Sequence, residues 1–322
     1  MKKLLLLFFV CLVLVLGMVR YAHFLVLEPL SFQAPIIFEL EKGASAQNAA
    51  QKLYEKKLVA HPIIARLAMR FFGYDKALRA GEYFLEPKMS LKEILQKLTS
   101  GKVILHKLTL PEGLTTAQML ELIEKNEFLS GQISESVNEG EMLPETYSFA
   151  KGETKNAIIR QAKKAMEKVL EQVWQTRAND LPLKNAYELL ILASIIEKET
   201  GINAERAKVA SVFINRLNKT MLLQTDPTVI YALTLGKSEL GRTLKHKDLE
   251  FDSPYNTYLY QGLPPTPICS PGILAIKAAA NPENTPYFYF VADGKGGHRF
   301  AKSLREHNQN IRLWLKEKQT NP

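Results

Sequence analysis

Leu189-Leu190-Ile191-Leu192-Ala193-Ser194-Ile195-Ile196-Glu197-Lys198-Glu199-Thr200-Gly201 is the stretch on which the fold turns. Leu189 to Ile196 carry no charge, so a helix here is apolar nearly all round and belongs inside a core, with Gly201 as its stop. On the helical wheel Glu199 lies four after Ile195, three after Ile196 and seven after Leu192, in line with an apolar stripe, whereas Glu197 follows Ala193, Ser194 and Leu190. Glu199 is thus a carboxylate at the negative end of a helix dipole beside apolar side chains, and both influences disfavour its charged form. A general acid working near neutral pH needs that property. The competing reading makes Glu197, Lys198 and Glu199 the solvated end of a helix, as is common for such residues. Ser194, on the same helix, is a candidate substrate contact.

Downstream, Asn203 to Lys219 predicts a helix with Ala207, Ala210, Phe213, Ile214 and Leu217 on one face. It leads into Met221-Leu222-Leu223-Gln224-Thr225-Asp226-Pro227-Thr228-Val229-Ile230-Tyr231, where Asp226-Pro227 reads as a helix start. Asp226 is either a helix cap or a functional carboxylate. Gln224, Thr225 and Tyr231 are candidate substrate contacts around it. The loop Ser253 to Pro267 sets Tyr255, Asn256, Tyr258 and Tyr260 among prolines. Aromatic planes suit the C–H faces of pyranose rings and amides suit their hydroxyls, so Tyr255, Asn256 and Tyr258 are candidate sugar contacts; a packed surface loop is the alternative. After a helix from Pro271 to Ala280, Tyr287 to Val291 and His298 to Phe300 flank Asp293-Gly294-Lys295-Gly296-Gly297, a hairpin pattern, and a basic amphipathic helix closes the chain. The Gly-Lys-Gly-Gly segment lacks the spacing of a phosphate loop, and His298 and His307 lack metal-ligand spacing.

Upstream, the pattern is strand (Pro35–Leu40), helix from an N-cap at Ser45, helix from Pro62, strand (Gly81–Leu85), and helix from the capping box Ser90-Leu91-Lys92-Glu93. An echo at an offset of 70 pairs Glu39-Leu40-Glu41-Lys42-Gly43-Ala44-Ser45 with Thr109-Leu110-Pro111-Glu112-Gly113-Leu114-Thr115. Two small modules in tandem are the expectation. Ser130 to Gly152 reads as a boundary carrying an aromatic hook at Tyr147 and Phe149, and a long amphipathic helix follows from Thr154 to Arg177.

The 322 residues, 46% hydrophobic and with 33 Gly plus Pro, exclude disorder and collagen-like repeats. A net charge of +9, from 42 basic and 33 acidic residues, favours an anionic partner without choosing among nucleic acid, lipid headgroups and an envelope polymer. Only Cys11 and Cys269 are present, which excludes a disulfide-stapled scaffold and a four-cysteine metal site. After Lys2 and Lys3, Leu4 to Leu27 is broken by one charge, Arg20, and as a helix at about 1.5 Å per residue it is about 36 Å long, enough to cross a bilayer. A cleaved signal peptide competes, but Gly17-Met18-Val19-Arg20-Tyr21 offers no small-x-small site. The lysines predict an N-in, single-pass anchor with the bulk of the chain outside the cytoplasm, which makes nucleic acid an unsuitable partner.

The segments Ala193–Thr200, Val209–Leu217, Leu223–Tyr231, Tyr255–Tyr258, Gly262–Pro265, Ser270–Gly272 and Tyr289–His298 closely resemble the endolytic murein transglycosylases, the YceG-like family. The resemblance covers most of residues 185–310. One departure is Leu143-Pro144-Glu145-Thr146-Tyr147, where many members have an aromatic before the proline and Asp after it. The resemblance implies Glu199 as the catalytic acid and base, no cofactor and no metal. It further implies cleavage of the MurNAc-β-1,4-GlcNAc bond of nascent strands to leave a 1,6-anhydroMurNAc end. Peptidoglycan glycan strands and the lipid bilayer are the partners so implied, with peptidoglycan synthases and division proteins as candidate protein partners and the inner (plasma) membrane as location. The expected fold is α+β: a cytoplasmic N-terminus and transmembrane helix (1–30), a LysM-like module (34–104), a small linking subdomain (105–152) and a mainly helical catalytic domain with a β-hairpin (153–322). Two alternatives remain open: a lysozyme-type muramidase using Glu197 or Asp226 as second carboxylate, and a non-catalytic peptidoglycan-binding scaffold.

Overall fold

A computed structural model describes residues 2–320 of the chain. It opens with α1 (Lys2–Leu27), within which Leu5–Leu27 is long and apolar enough to cross a membrane, at a mean hydropathy of 2.5. The chain then divides into two units, Met1–His106 with Ser148–Glu153, and Lys107–Tyr147 with Thr154–Pro322.

In the first unit β1 (Ile36–Leu40) pairs antiparallel with β2 (Gly81–Leu85), from Ile36 opposite Leu85 to Leu40 opposite Gly81. Between them lie α2 (Ala46–Glu55) and α3 (Pro62–Phe71), and α4 (Leu91–Ser100) follows. The alternation of β1 and β2 turns Phe38, Leu40, Tyr83 and Leu85 inward, where Leu53, Met69, Ile94 and Leu98 close the core. Ser45 caps α2 by accepting from the Asn48 amide, and Ser90 and Glu93 form the expected capping box. The buried Tyr83 hydroxyl is satisfied by the carbonyls of Arg79 and Leu98.

The echo seen in the sequence is physical. β3 (Leu105–Thr109), a turn at Gly113 and α5 (Thr116–Glu124), capped by a Thr115–Gln118 box, repeat the β1–Gly43–Ser45–α2 arrangement. Leu53 and Ile123 hold equivalent buried positions. The boundary stretch is more ordered than its polar composition suggests. It supplies β4 (Thr146–Ala150), which pairs with β3, because alternation buries Tyr147 and Phe149 while Thr146 and Ser148 stay out.

In the second unit α6 (Lys155–Gln175) and α7 (Ala186–Glu199) are followed by α8 (Asn203–Asn218), α9 (Asp226–Thr234) and α10 (Ile273–Ala280). Leu189 to Ile196 of α7 are all buried, with α6, α8, α9 and α10 packed round them. Each such Leu or Ile contributes about 1.5–3 kcal/mol on leaving water, so α7 is the post on which the unit is assembled. β5 (Tyr289–Ala292) and β6 (His298–Ala301) form the hairpin, with Phe290 opposite Phe300, and α11 (Leu304–Thr320) lies against it.

Candidate active site

The last turn of α7 separates its two carboxylates. Glu197 points to one side and is consumed there: its side chain is 6% exposed, Oε2 lies 3.0 Å from Arg206 Nη1, Oε1 accepts from Nη2 at 3.1 Å, and Oε2 also accepts from the Gly272 amide at 2.9 Å. It is a fully paired buried ion that ties α7 to α8 and to the start of α10. Glu199 emerges on another side, half-buried, at a cleft of about 470 Å3. Its carboxyl is nearly enclosed and accepts a hydrogen bond from the Thr225 hydroxyl. Loss of water raises its pKa. The Thr225 bond opposes that rise, neighbouring Asp226 adds to it, and the electrostatic influence of His298 and of the Arg216 guanidinium pulls back.

The loop Met221–Thr225 is held by Arg216. This buried guanidinium donates from Nη1 to the carbonyls of Leu222 (3.0 Å) and Leu223 (2.8 Å), and from Nε to that of Phe288 (2.7 Å). Gln224 adopts φ +50, a left-handed conformation that a side-chain-bearing residue keeps only when its surroundings fix it. Here its amide donates to the Thr257 carbonyl, the Thr225 amide donates to Thr257 Oγ1, and Thr228 bonds both Thr225 and Thr257. Thr225 therefore reaches Glu199 from a braced position.

Of the two roles open to Asp226, the helix cap is not the one it takes. It is the first residue of α9, after Thr225 at the N-cap, and its carboxylate instead accepts from the Tyr258 hydroxyl at 2.6 Å. Burial, followed by that carboxylate, raises the Tyr258 pKa, so the phenol stays protonated. Gln224, Asp226 and Tyr258 all line the Glu199 cleft. The structure does not bring the other candidates there. Tyr231 and Tyr255 pack together at 4.9 Å between ring centres, the first donating to Glu139 at 3.2 Å and the second bonding Thr266 at 2.8 Å. Asn256 is wholly buried: its amide nitrogen donates to the carbonyls of Leu249 and Phe251 and its oxygen accepts from the Tyr258 amide, so it shapes the loop that carries Tyr258. Ser194 is equally enclosed, donating to the Ile191 carbonyl and accepting from the Ile268 amide. For both, an unmet polar group inside the core costs more than a substrate contact returns, which turns them inward.

Among the cleft residues that the sequence reading did not name as contacts are Arg216, Tyr289 and His307. Arg216 falls three after Phe213 on the buried face of α8, and a cation at a core position was the available signal. Tyr289 from β5 stacks on His307 of α11 at 5.2 Å and lies 5.1 Å from the Arg216 guanidinium carbon. Burial, with Arg216 beside it, lowers the His307 pKa, and its Nδ1 is buried without a hydrogen-bond partner. Their meeting depends on how hairpin and helix pack, which no local pattern announces. Nearby, His298 lies 2.7 Å from Glu205 and fixes β6 to α8.

Comparison with known proteins bears on what such a cleft does. The sequence model of the YceG-like family matches residues 38–313. A Bacillus subtilis protein named endolytic murein transglycosylase is 32% identical over 91% of this chain and 89% of its own length. One of the same name from Streptococcus pneumoniae is 28% identical over 84% of this chain and 57% of its own length. The crystal structure of a yceG-like protein from Listeria monocytogenes superposes with a TM-score of 0.51 at 32% identity, covering 86% of this chain and 99% of that one.

Proposed function

Because the chain belongs to the YceG-like family, we propose that it is a membrane-anchored endolytic lytic transglycosylase that cuts peptidoglycan within nascent glycan strands. The observation that carries this reading is the setting of Glu199: a carboxyl group biased towards its protonated form, hydrogen-bonded by Thr225 and facing a cleft, while its neighbour Glu197 is locked in a buried ion pair. A single carboxyl group suffices if the substrate supplies its own nucleophile. Protonated Glu199 gives its proton to the glycosidic oxygen as the bond from that oxygen to MurNAc C1 breaks, which releases GlcNAc with a free 4-hydroxyl. The resulting carboxylate then takes the proton of the MurNAc C6 hydroxyl as its oxygen closes onto C1. The product is a 1,6-anhydroMurNAc end, no water is consumed, and Glu199 ends protonated as it began. An intramolecular hydroxyl also spares the site the positioning of a water.

Within that cleft Tyr258 and Tyr289 offer aromatic faces for sugar rings, and Gln224 and Asp226 offer polar contacts. Tyr231, Tyr255, Asn256 and Ser194 act behind it, by holding its loops. The strand–helix–helix–strand–helix unit at 34–104 serves as a LysM-like glycan-holding module and 105–152 as a link to the catalytic domain at 153–322. α1 anchors the chain N-in at the plasma membrane, beside the synthases whose strands it cuts. A lysozyme-type reading draws support from Asp226, a second carboxylate on the same cleft; Glu197 is too fully paired to serve it. Mass spectrometry of fragments from purified glycan strands decides between them. Anhydro ends lighter by one water, lost with Glu199→Gln, support the proposal. Hydrated ends overturn it in favour of a hydrolase, and intact strands with the wild-type protein overturn it in favour of a binding scaffold.

A further inference from the structure

α3 has two faces of opposite use. Ala65, Ala68 and Met69 pack into the core of the first unit, whereas Ile63, Leu67 and Phe71, spaced four apart on the other side, are 52%, 62% and 83% exposed. A soluble surface seldom leaves such a stripe to water. It does not stand alone. The stripe borders a groove of about 720 Å3 whose opposite wall is the C-terminal part of α1, from Val19 to Leu27, and whose lining is apolar apart from His23 and Arg70. Directly after α1 the chain is fastened to this unit, since Pro29 bridges Ser90 and the Leu30 amide donates to the Met89 carbonyl at 3.0 Å. The position of α3 along α1 is therefore fixed.

That position has a meaning if α1 spans a bilayer. Leu5–Leu27 is about 34 Å long at about 1.5 Å per residue, against a hydrocarbon core of about 30 Å, so its last residues reach the headgroup layer. A helix lying beside residues 19–27 then sits at the boundary between chains and headgroups. The charges agree: α3 carries Arg66 and Arg70, both exposed, and no acidic residue. Apolar residues on one side with arginines able to reach phosphates is the pattern of a helix lying in a membrane interface.

We propose that α3 is a second membrane contact: Ile63, Leu67 and Phe71 lie in the phospholipid leaflet on the C-terminal side of α1, lipid chains fill the groove between α1 and α3, and Arg66 and Arg70 engage anionic headgroups. The inference rests on the reading of α1 as a membrane span, and the test separates the two. The full-length chain is reconstituted in vesicles of phosphatidylethanolamine and phosphatidylglycerol and carries one nitroxide label at a time. One label sits on the native Cys11, which is exposed on α1, whereas buried Cys269 is shielded from labelling. The others sit on Leu67→Cys, Phe71→Cys or the control Gln47→Cys, each in a Cys11→Ser background. Collision with oxygen, which concentrates in lipid, is compared with collision with a water-soluble nickel chelate.

The expected result is a severalfold higher ratio of oxygen to nickel accessibility at 67 and 71 than at 47, with Cys11 the most lipid-exposed of all. If 67 and 71 match 47 while Cys11 remains in lipid, the α3 contact is refuted and the span stands. Shielding of 67 and 71 from both agents also refutes it, because protein rather than lipid then covers the face. A water-accessible Cys11 removes the span and the α3 contact together.

Discussion

Thr225→Val tests how Glu199 is tuned. The substitution keeps the size and branching of the side chain and both backbone bonds that brace residue 225, and it removes only the hydroxyl donated to the Glu199 carboxylate. A hydrogen bond to a charged group is worth about 1.5–3 kcal/mol, and 1.36 kcal/mol corresponds to one pH unit, so its loss raises the Glu199 pKa by a further ~1–2 units. The sign follows from the chemistry. The first step needs Glu199 protonated, so kcat/KM falls as pH rises through its pKa, and a higher pKa moves that descending limb to higher pH. The assay is release of anhydro-ended fragments from purified glycan strands by the full-length protein in detergent, followed from pH 4 to 10 for wild type and variant. A limb displaced upward by about one to two pH units is expected. A limb that stays in place, or moves to lower pH, refutes the assignment of Thr225 as the donor that restrains Glu199 or of Glu199 as the acid.

Three further outcomes follow from the same geometry. Glu199→Gln abolishes cleavage yet stabilises the fold at high pH. A carboxyl whose folded pKa is raised favours folding fully below its unfolded value near 4.3 and loses that contribution as pH climbs through the folded value, so the variant's Tm should match wild type at pH 4 and exceed it at pH 8; a pH-independent difference refutes this. Glu197→Gln leaves the Arg206 guanidinium buried beside a neutral partner, with Glu112 3.8 Å away as its remaining anion, and should cost about 3–5 kcal/mol in urea unfolding while anhydro products persist at low temperature. Loss of cleavage without loss of stability would instead make Glu197 catalytic. Asp226→Asn should reduce the rate by less than Glu199→Gln and leave the product mass unchanged, whereas a second-carboxylate hydrolase would lose activity as completely with either change.

The sequence was most legible where a local rule acts alone. Ser45, Ser90, Thr115 and Thr154 announce helix starts because an N-cap needs only a short side chain and the next turn of backbone, and all four cap the helices that follow them. Glu199 was legible for a related reason, since wheel position alone separates it from Glu197 by two residues, or about 200° around the axis. What the wheel does not carry is the partner each carboxylate meets: Glu197 finds Arg206 nine residues on, and Glu199 finds Thr225 across a turn held by Arg216. Asn256 and Ser194 misled for one physical reason. A polar side chain in a Tyr- and Pro-rich loop or on an apolar helix reads as a tool for substrate, yet burial obliges it to satisfy the backbone first. The same rule, applied to Arg216, points the other way. Its donors to Leu222, Leu223 and Phe288 are structural, but the loop they hold sets Thr225 against Glu199, so this fold tunes the Glu199 carboxyl through a cation that spends its hydrogen bonds on carbonyls and reaches the carboxylate only through the field it adds.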